Sequence, residues 1–444
     1  MDEFEIDEES FSAELGLNPS GPPQEGRAFL IGVVSKRTEI PGCEELLEEL
    51  ADLADTFGVQ TVGRLPIIAR KLDAATFVPS GKLDEIKQQL ESTGATLLIF
   101  DDEISPAQQR NLEKLFKIPT MDRTELIIEI FAQRAQTKEA KLQIELAKTR
   151  YQFPRLKRMW SHFSRQRASG GFLKGEGEKQ IELDRRMLKR RLQLLSDELK
   201  EVVQARSVQS QQRRRSGIPT VAIVGYTNAG KSTLLRALTQ ADVLVEDKLF
   251  ATLDPTTRKF TLPNKQEILL SDTVGLIRKL PHMLVAAFRS TLEAALHDDI
   301  LLHLIDVSHP AAEAQAKTTE HLLQELGVDQ QSCLITVLNK IDLCQDPSCI
   351  VKMRLKYPRV VAISAQTGEG FEELQRMLME VLASRRVTVK LRIPQSAYHL
   401  VGLIHREAHI LHEEYADNDV MIRAQIPLAM LHHFEAYKQK EETE

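Results

Sequence analysis

Residues 221–238 read VAIVGYTNAGKSTLLRAL, and this stretch decides the fold of the chain. It matches the phosphate-binding loop G-x-x-x-x-G-K-S from Gly225 to Ser232, with a strand-like apolar run before it and a helical pattern after it. The glycines let backbone N–H groups turn towards a β-phosphate, and the helix N-terminus adds a favourable dipole. The motif therefore predicts a nucleotide-binding α/β domain. In it, Lys231 reaches the β- and γ-phosphates and the Ser232 hydroxyl binds Mg²⁺.

Three later stretches distinguish GTP from ATP. Asp272-Thr-Val-Gly275 follows an apolar run, where the aspartate can hold Mg²⁺ through water and the Gly275 N–H can sense the γ-phosphate. Asn339-Lys-Ile-Asp342 follows a second run, and its carboxylate suits the N1–H and 2-amino donors of guanine because a carboxylate only accepts hydrogen bonds. Ser364-Ala365 ends a third run, where a backbone N–H is placed to meet guanine O6. This order at strand ends predicts a GTPase.

The stretch FATLDPTTR, residues 250–258, lies between the phosphate loop and DTVG, so it is expected to contain the first switch. It offers Thr252, Thr256 and Thr257 as Mg²⁺ ligands, and spacing alone does not choose among them.

Two residues of the motifs carry further expectations. Leu276 follows Gly275, where many GTPases place a glutamine that orients the attacking water. Leucine cannot do this, so we expect slow intrinsic hydrolysis that a partner or another group assists. The side-chain oxygen of Asn228 can hold a monovalent cation such as K⁺ beside the phosphates. A purely loop-shaping role is the alternative, because asparagine is common in turns.

The bulk composition is that of a globular protein. The chain has 444 residues, of which 42% are hydrophobic and 27% charged, and this length suggests roughly three domains. No apolar run approaches the ~20 residues that span a bilayer, and the acidic N-terminus differs from a signal peptide. We therefore expect a cytoplasmic protein. The four cysteines lack the spacing of a zinc site, so we interpret them as ordinary reduced cysteines.

Charge is distributed unevenly along the chain. The first 25 residues hold 8 acidic residues and no basic one, and residues 1–27 are predicted to form a disordered acidic tail. Between Arg150 and Arg191, 13 Lys or Arg stand against 4 Asp or Glu. This basic segment indicates either a contact with a polyanion or a solvated helix face.

The chain is predicted to belong to the α/β class, with repeated alternation of strand and helix patterns. The segments that we expect after the tail are a small α/β domain (28–120), a helical hairpin with a basic, glycine-rich tip loop (121–207), a linker (208–217), a GTPase domain with a mostly parallel sheet (218–384) and a small α+β domain (385–444).

The hairpin is predicted from a seven-residue repeat. Ile181, Leu188, Leu195 and Val202 recur at this spacing, as in paired long helices. The first arm is expected to end at Pro154. The connecting segment, residues 153–177, then lies at the far tip. In the last domain, residues 401–414 have a helical pattern.

The sequence resembles the HflX family of ribosome-associated GTPases from about residue 28 to 384. The motifs GYTNAGKST, FATLDPTTR, DTVGLI and NKID carry this resemblance. So do PSGKLDEI, DDEISPAQQRNLEK, DRTELIIEIFAQRA and GEGEKQIELDRR, which separate the family from other GTPases. The resemblance favours Thr252 as the Mg²⁺ ligand of the first switch. It also implies that Leu276 is the hydrophobic replacement for glutamine typical of this group.

The family's tip pattern, G-P-G-E-T-Q-L-E, is changed here, since Glu176 replaces the proline and Lys179 the threonine. The residues expected to contact RNA are Arg165, Arg167, Gly170, Gly171, Lys174, Gly175, Gly177 and Lys179. The residues expected to surround the nucleotide are Gly225, Tyr226, Thr227, Asn228, Ala229, Gly230, Lys231, Ser232, Phe250, Ala251, Thr252, Leu253, Asp254, Asp272, Thr273, Val274, Gly275, Asn339, Lys340, Ile341, Asp342, Ser364, Ala365 and Gln366. Among these, Lys231, Thr252 and Gly275 are the expected catalytic residues.

The resemblance implies a GTPase that binds the large ribosomal subunit and its rRNA. Family members dissociate stalled or stressed ribosomes, the ribosome stimulates their hydrolysis, and some also hydrolyse ATP. We expect GTP or GDP with Mg²⁺ as ligands, a monomeric chain, and no association with DNA or integral association with a membrane. The alternative hypothesis is a nucleotide-switched scaffold or stress-signalling GTPase without splitting activity.

Overall fold

The computed structural model describes residues 26–167, 176–215, 218–240, 249–250, 252–253, 256–281, 299–325, 327, 334–384, 386–416 and 418–439. Residues 1–25 of the expected acidic tail lie outside these ranges. By its contacts the chain divides into two compact units. The first comprises Met1–Val203, Glu246–Asp254 and Lys279–Ser290, and the second comprises Gln204–Val245, Pro255–Arg278 and Thr291–Glu444.

The first unit contains a four-stranded parallel sheet in the order β2-β1-β3-β4. Its strands are β1 (Arg27–Val34), β2 (Gln60–Ile68), β3 (Leu97–Phe100) and β4 (Thr120–Asp122). The helices that alternate with them are α1 (Ile40–Phe57), α2 (Ser80–Thr93), α3 (Pro106–Phe116) and α4 (Arg123–Arg134). A parallel sheet follows from this alternation, because parallel strands need crossover connections.

Ser105 caps α3. Its hydroxyl accepts from the Gln108 N–H at 3.3 Å, and the Gln108 side chain accepts from the Ser105 N–H at 2.8 Å. This reciprocal pair satisfies two backbone donors at the helix N-terminus. The strands β2 and β4 were not anticipated. The first contains a glycine and a proline, and the second has only 3 residues.

Two long helices follow, α5 (Lys138–Arg167) and α6 (Glu176–Arg215), of 30 and 40 residues. The first unit contains α5 and the part of α6 up to Val203. At ~1.5 Å per residue they measure roughly 45 and 60 Å. The prediction that Pro154 ends the first arm is wrong, because Pro154 lies inside α5. The helical pattern breaks earlier instead, between α4 and α5, where the Thr137 hydroxyl accepts from the Ala140 N–H at 3.2 Å.

The second arm also differs from expectation at its far end. Helix α6 continues to Arg215, so most of the expected linker, residues 208–217, is helical. Two positions of the seven-residue pattern, Leu195 and Val202, are found in the packing between the arms. Leu195 is buried against Leu142 and Leu146 of α5. Leu192, Leu199 and Val202 pack on the same cluster.

The second unit contains a six-stranded sheet in the order β10-β9-β8-β5-β7-β6. Its strands are β5 (Thr220–Gly225), β6 (Thr256–Thr261), β7 (Glu267–Asp272), β8 (Ile300–Asp306), β9 (Leu334–Asn339) and β10 (Val360–Ala362). All neighbours pair in parallel except β6 with β7. The described helices that follow these strands are α7 (Lys231–Thr239), α8 (Ala312–Glu325), α9 (Pro347–Lys356) and α10 (Phe371–Ser384). Strand β6 has no apolar run in its sequence and was not predicted.

The chain ends in a three-stranded antiparallel sheet, ordered β11-β13-β12. It comprises β11 (Arg386–Pro394), β12 (His409–Ala416) and β13 (Asp419–Pro427), with helix α11 (His399–Glu407) on one face. The predicted helical stretch 401–414 is thus correct only to Glu407, because the following residues pair with β13.

None of the helices in the described ranges is long and apolar enough to cross a membrane. Within the same ranges, no group of three or more His, Cys, Asp or Glu is arranged to hold a metal ion. Cys43, Cys344 and Cys349 are free thiols, and Cys333 lies outside the described residues.

Candidate nucleotide-binding site

The phosphate loop connects β5 to α7, and steric contacts require its glycines. A Cβ at Gly225 would lie 2.5 Å from the carbonyl oxygen of Leu304. Gly230 has φ of +92°, and a Cβ there would lie 2.3 Å from Nδ2 of Asn339. Both positions therefore exclude any side chain, and the second also needs the left-handed backbone that glycine adopts easily.

Lys231 lies inside this loop with only 7% of its surface exposed. Its ammonium group donates to the carbonyl oxygen of Tyr226 at 2.7 Å and to that of Gly225 at 3.3 Å. Burial lowers the pKa of Lys231 to about 8, and the Asp272 carboxylate opposes this shift. A bound phosphate group would raise this pKa again, because an anion favours the protonated form.

Ser232 and Asp272 form a pair of oxygen ligands beside the loop. The Ser232 hydroxyl donates to Oδ2 of Asp272 at 2.6 Å, and Asp272 is fully buried at the end of β7. Hard oxygen donors of this kind suit Mg²⁺, which usually takes one or two protein ligands and keeps several waters. The donor set thus fits the ion that the sequence predicts.

The DTVG stretch lies directly against the phosphate loop. The Thr273 hydroxyl donates to the carbonyl oxygen of Ile223 at 2.7 Å. A Cβ at Gly275 would lie 2.7 Å from Cγ2 and 2.9 Å from Cα of Thr227. This position therefore has no room for a side chain, and the Gly275 backbone lies directly against the phosphate loop.

Leu276 joins the same arrangement through its backbone. Its N–H donates to the Gly225 carbonyl oxygen at 3.1 Å, and its own carbonyl oxygen accepts from the Thr227 N–H at 2.8 Å. The side chain is 2% exposed and apolar, so it offers no group that could orient a water molecule.

Asn339 connects the phosphate loop with the two loops expected to bind the base. This residue is 1% exposed, its Nδ2 donates to the Ala229 carbonyl oxygen at 2.8 Å, and its Oδ1 accepts from the Ala365 N–H at 2.9 Å. Lys340 follows with φ of +63°, and its ammonium group pairs with Asp306 at 2.7 Å. Asp342 is exposed, so its carboxylate is accessible to a guanine base.

The backbone after β10 narrows the choice of a donor for guanine O6. The Ser364 N–H donates to the Glu369 carbonyl oxygen at 3.0 Å, and the Ala365 N–H is used by Asn339. Among the described residues, none accepts a hydrogen bond from the Gln366 N–H. The structure therefore favours Gln366 within this stretch as the donor to O6.

Sequence reasoning missed Asp306, which holds Lys340 in place. Its position was a usable signal, because Asp306 ends β8 at the same edge of the sheet as Asp272 and Asn339. Asn228 is exposed and has φ of +59°. Asparagine tolerates this left-handed conformation, which favours the loop-shaping role.

The described residues of the expected first switch are divided between the units. Phe250, Thr252 and Leu253 belong to the first unit, whereas Thr256, Thr257 and Arg258 belong to the second and form the start of β6. The ring of Phe250 packs edge-on against Phe131 with centroids 4.5 Å apart, and the Leu249 N–H donates to the Thr56 hydroxyl at 3.2 Å. Thr252 is half-buried and Leu253 is buried, while Ala251 and Asp254 lie outside the described residues. The role of Thr252 at Mg²⁺ thus rests on the sequence.

Four of the expected RNA-contacting residues lie in the described ends of the two long helices. Arg165 and Arg167 are in the last turn of α5, and Gly177 and Lys179 are in the first turn of α6. Gly170, Gly171, Lys174 and Gly175 lie outside the described residues.

A phosphate loop with a buried lysine, a Ser–Asp oxygen pair and the NKID loop with an accessible carboxylate meet at one edge of a mostly parallel sheet. These features define the class of P-loop GTPases. Family models match three consecutive parts of the chain, described as GTP-binding GTPase N-terminal (residues 44–132), GTP-binding GTPase Middle Region (134–213) and 50S ribosome-binding GTPase (220–340).

Known proteins give a narrower assignment. The chain is 46% identical over 426 residues to GTPase HflX of Chlamydia pneumoniae, covering 94% of this chain and 90% of that protein. It is 38% identical over 388 residues to GTPase HflX of Escherichia coli K12, covering 87% and 90%. The chain therefore belongs to the HflX family of GTPases, and it hydrolyses GTP. A solved GTP-binding protein from Sulfolobus solfataricus in complex with GDP is 26% identical, with a TM-score of 0.44 over 80% of this chain and 98% of that one.

Proposed function

We propose that this chain is a GTP-hydrolysing factor that binds the large ribosomal subunit and dissociates stalled or stressed ribosomes, and that the ribosome stimulates its hydrolysis. The observation that carries this proposal is the combination of a GTPase site with a long helical hairpin whose junction is basic. The family model that matches residues 220–340 is described as a 50S ribosome-binding GTPase, which supports the choice of the large subunit.

Each residue of the site has a part in nucleotide binding. Lys231 exchanges its carbonyl partners, Tyr226 and Gly225, for phosphate oxygens, and the Gly275 N–H senses the γ-phosphate. The Asp342 carboxylate accepts from guanine N1–H and the 2-amino group, and the Gln366 N–H donates to O6. Ordering of the switch segments by GTP then favours the ribosome-bound state.

Ser232, Thr252 and Asp272 would hold Mg²⁺, the last through water. The ion neutralises phosphate charge when it is bound. Leu276 is buried and cannot position the attacking water, so this chain on its own hydrolyses GTP slowly, and a group supplied on the ribosome raises the rate.

A K⁺ ion beside Asn228 is the second cofactor to test. The left-handed backbone of Asn228 supports a role in shaping the loop, and a cation contact would be additional. Hydrolysis rates are compared in KCl and NaCl at equal ionic strength. Equal rates in the two salts would remove K⁺ from the proposal.

The hairpin junction is expected to contact rRNA and to bring about the separation of the subunits. RNA-binding proteins contact phosphates and stack on unpaired bases, and Arg165, Arg167 and Lys179 supply cations at the junction. A deletion of residues 170–178 is expected to abolish ribosome splitting and leave GTP binding intact. Loss of GTP binding in this variant would contradict the separation of the two roles.

Sedimentation of purified ribosomes tests the whole proposal. Wild-type protein with a non-hydrolysable GTP analogue is expected to sediment with large subunits and to convert intact ribosomes into subunits, whereas Lys231→Ala protein does neither. If the protein binds in a GTP-dependent manner but leaves ribosomes intact, it is a nucleotide-switched scaffold. If it never sediments with large subunits, the proposal fails.

A further inference from the structure

The C-terminal sheet has one packed face and one open face. On the packed face, Leu391 and Ile393 of β11 and Ile422 of β13 are buried against Val401 and Ile404 of α11. Successive side chains of a strand point to opposite faces, so the residues between them point outward. The outer face of the described residues carries Thr388, Lys390 and Arg392 on β11, Met421, Arg423 and Gln425 on β13, and His412 and Glu414 on β12.

Three basic side chains form one row across this outer face. Lys390 lies directly opposite Arg423 in the pairing of β11 with β13, and His412 lies opposite Arg423 in the pairing of β12 with β13. All three are exposed. Within the described residues, none of the three side chains has an ion pair or a hydrogen bond. Like charges directly opposite each other destabilise a sheet, so this row gains from an anionic ligand.

The adjacent row of the same face is arranged differently. Arg392 pairs with Asp419 at 2.5 Å, and Glu414 lies on the far side of Met421 in the same row. Residues 386–444 contain 7 Lys or Arg against 9 Asp or Glu, a net charge of −2. The unneutralised row is therefore a local feature and does not reflect a generally basic segment.

The chemistry of the row indicates its ligand. Ammonium, guanidinium and imidazole groups are donors for phosphate oxygens. Strands of a sheet lie about 4.8 Å apart, so three strands present these donors over roughly 10 Å. The charges of a nucleic-acid duplex follow one another within a few ångströms, and the row can thus contact more than one phosphate.

The neighbouring residues favour contact with the backbone of RNA over reading of its bases. The described outer face has no Phe, Tyr or Trp on which a base could stack, and stacking is the usual basis of single-strand recognition on sheets. We infer that the Lys390–Arg423–His412 row is a second RNA-binding surface, separate from the hairpin, that binds the phosphate backbone of rRNA in the large subunit. The ribosomal origin of this RNA rests on the proposed function.

The test uses the full-length protein with a GTP analogue. Its affinity is measured over a series of KCl concentrations for purified large subunits and for protein-free rRNA extracted from them. The test variant is Lys390→Gln/Arg423→Gln. The matched control is Arg392→Gln, which removes a cation from the same face that Asp419 already neutralises.

The double variant is expected to bind both targets at least tenfold more weakly near 0.1 M salt. Its slope of log K against log salt is expected to be shallower by about 2, because each lost phosphate contact removes roughly 0.9. Arg392→Gln is expected to behave as wild type. Unchanged GTP hydrolysis and circular dichroism would show that the variants are folded.

Three outcomes overturn the inference. The first is an unchanged slope in the double variant, and the second is an equal loss in Arg392→Gln. The third is a loss confined to intact subunits with normal rRNA binding, which would identify a ribosomal protein as the partner. Failure of the wild-type protein to bind large subunits would instead refute the proposed function, and the rRNA measurements would still decide the role of the row.

Discussion

The side-chain amide of Asn339 donates a hydrogen bond to the backbone carbonyl of Ala229 at 2.8 Å. These residues are 110 positions apart, and the same amide group accepts from the Ala365 N–H at 2.9 Å. One side chain thus connects the phosphate loop with the loop after β10. Because Asn339 is 1% exposed, water cannot easily replace either bond.

Asn339→Ala is expected to weaken GDP binding by about 10- to 100-fold or more. The change leaves a buried carbonyl and a buried N–H without partners, and each such group costs about 1–3 kcal/mol. Equilibrium titration with a fluorescent GDP analogue measures the loss. Asn264→Ala, an exposed turn residue, is the matched control. Wild-type affinity in Asn339→Ala would show that the two loops are held by other contacts.

Asp342→Asn is expected to change base selectivity and leave the fold intact. The exposed carboxylate offers only acceptors, whereas an amide offers one acceptor and one donor. The donor mismatches the 2-amino group of guanine and matches a carbonyl at the same position in xanthine. We therefore expect GTP affinity to fall by about 100-fold, since bonds to charged groups contribute ~1.5–3 kcal/mol each, and XTP affinity to rise. Competition between the two nucleotides measures this, and a retained preference for GTP would remove Asp342 from base recognition.

The sequence predicted those parts of the molecule that depend on neighbours along the chain. The phosphate loop, DTVG and NKID are short motifs, and the apolar runs next to these motifs and at Ser364-Ala365 predicted the strands β5, β7, β9 and β10. Strand β6 has no such run, because it is an edge strand that, among the described residues, pairs only with β7, and its side chains are incompletely buried. Residues His409–Ala416 form a strand only because β13 pairs with them.

Pro154 shows that distant contacts can also preserve a helix where the local sequence predicts its end. A proline inside a helix costs about 3 kcal/mol or more, yet α5 continues for 13 residues beyond it. Contacts of Arg155, the residue directly after the proline, with residues far away in the sequence hold the helix at this point. Arg155 alone bonds to residues 33, 46 and 51 positions away. No local pattern reveals such partners.

His303 makes the stability of the second unit dependent on pH. It is fully buried in β8, and neither ring nitrogen has a hydrogen-bond partner within the described residues. Burial, assisted by the charge of Lys356, lowers the pKa of His303 from 6.5 to about 4. The unfolded chain therefore binds this proton at a higher pH than the folded chain. Its stabilising contribution is complete above about pH 6.5 and is lost as the pH falls towards 4.

His303→Leu is expected to match or exceed the stability of wild type at pH 7, because it removes two unsatisfied polar atoms. At pH 5 the variant is expected to gain a further ~2 kcal/mol relative to wild type, since it lacks the titrating group. Urea denaturation followed by circular dichroism at both pH values measures the difference. His321→Leu, on the exposed side of α8, is the control. An equal pH dependence in His303→Leu and wild type would show that His303 does not titrate in this range.

Arg155 fixes the base of the hairpin to the sheet of the first unit. Its guanidinium group donates to Asp122 at 3.2 Å, to the Ile104 carbonyl oxygen at 2.9 Å and to Gln109 at 3.1 Å. It also lies over the ring of Tyr151, 3.4 Å from the centroid. Asp122 is fully buried, and burial raises its pKa while Arg155 opposes the shift. The network therefore fixes the base of the helical hairpin to the first unit.

Arg155→Met is expected to destabilise the contact between α5 and the sheet of the first unit by about 3–5 kcal/mol, because it leaves the buried Asp122 carboxylate without its cation. Amide hydrogen exchange of residues 149–156 is expected to speed up correspondingly, and ribosome splitting to fall while GTP binding is retained. Arg150→Met is the matched control, since Arg150 is exposed on the same helix and such changes usually stay within ~0.5 kcal/mol. Faster exchange at the base of the hairpin with unimpaired splitting would show that the hairpin need not be rigid. Unchanged exchange in Arg155→Met would show that the network does not hold it.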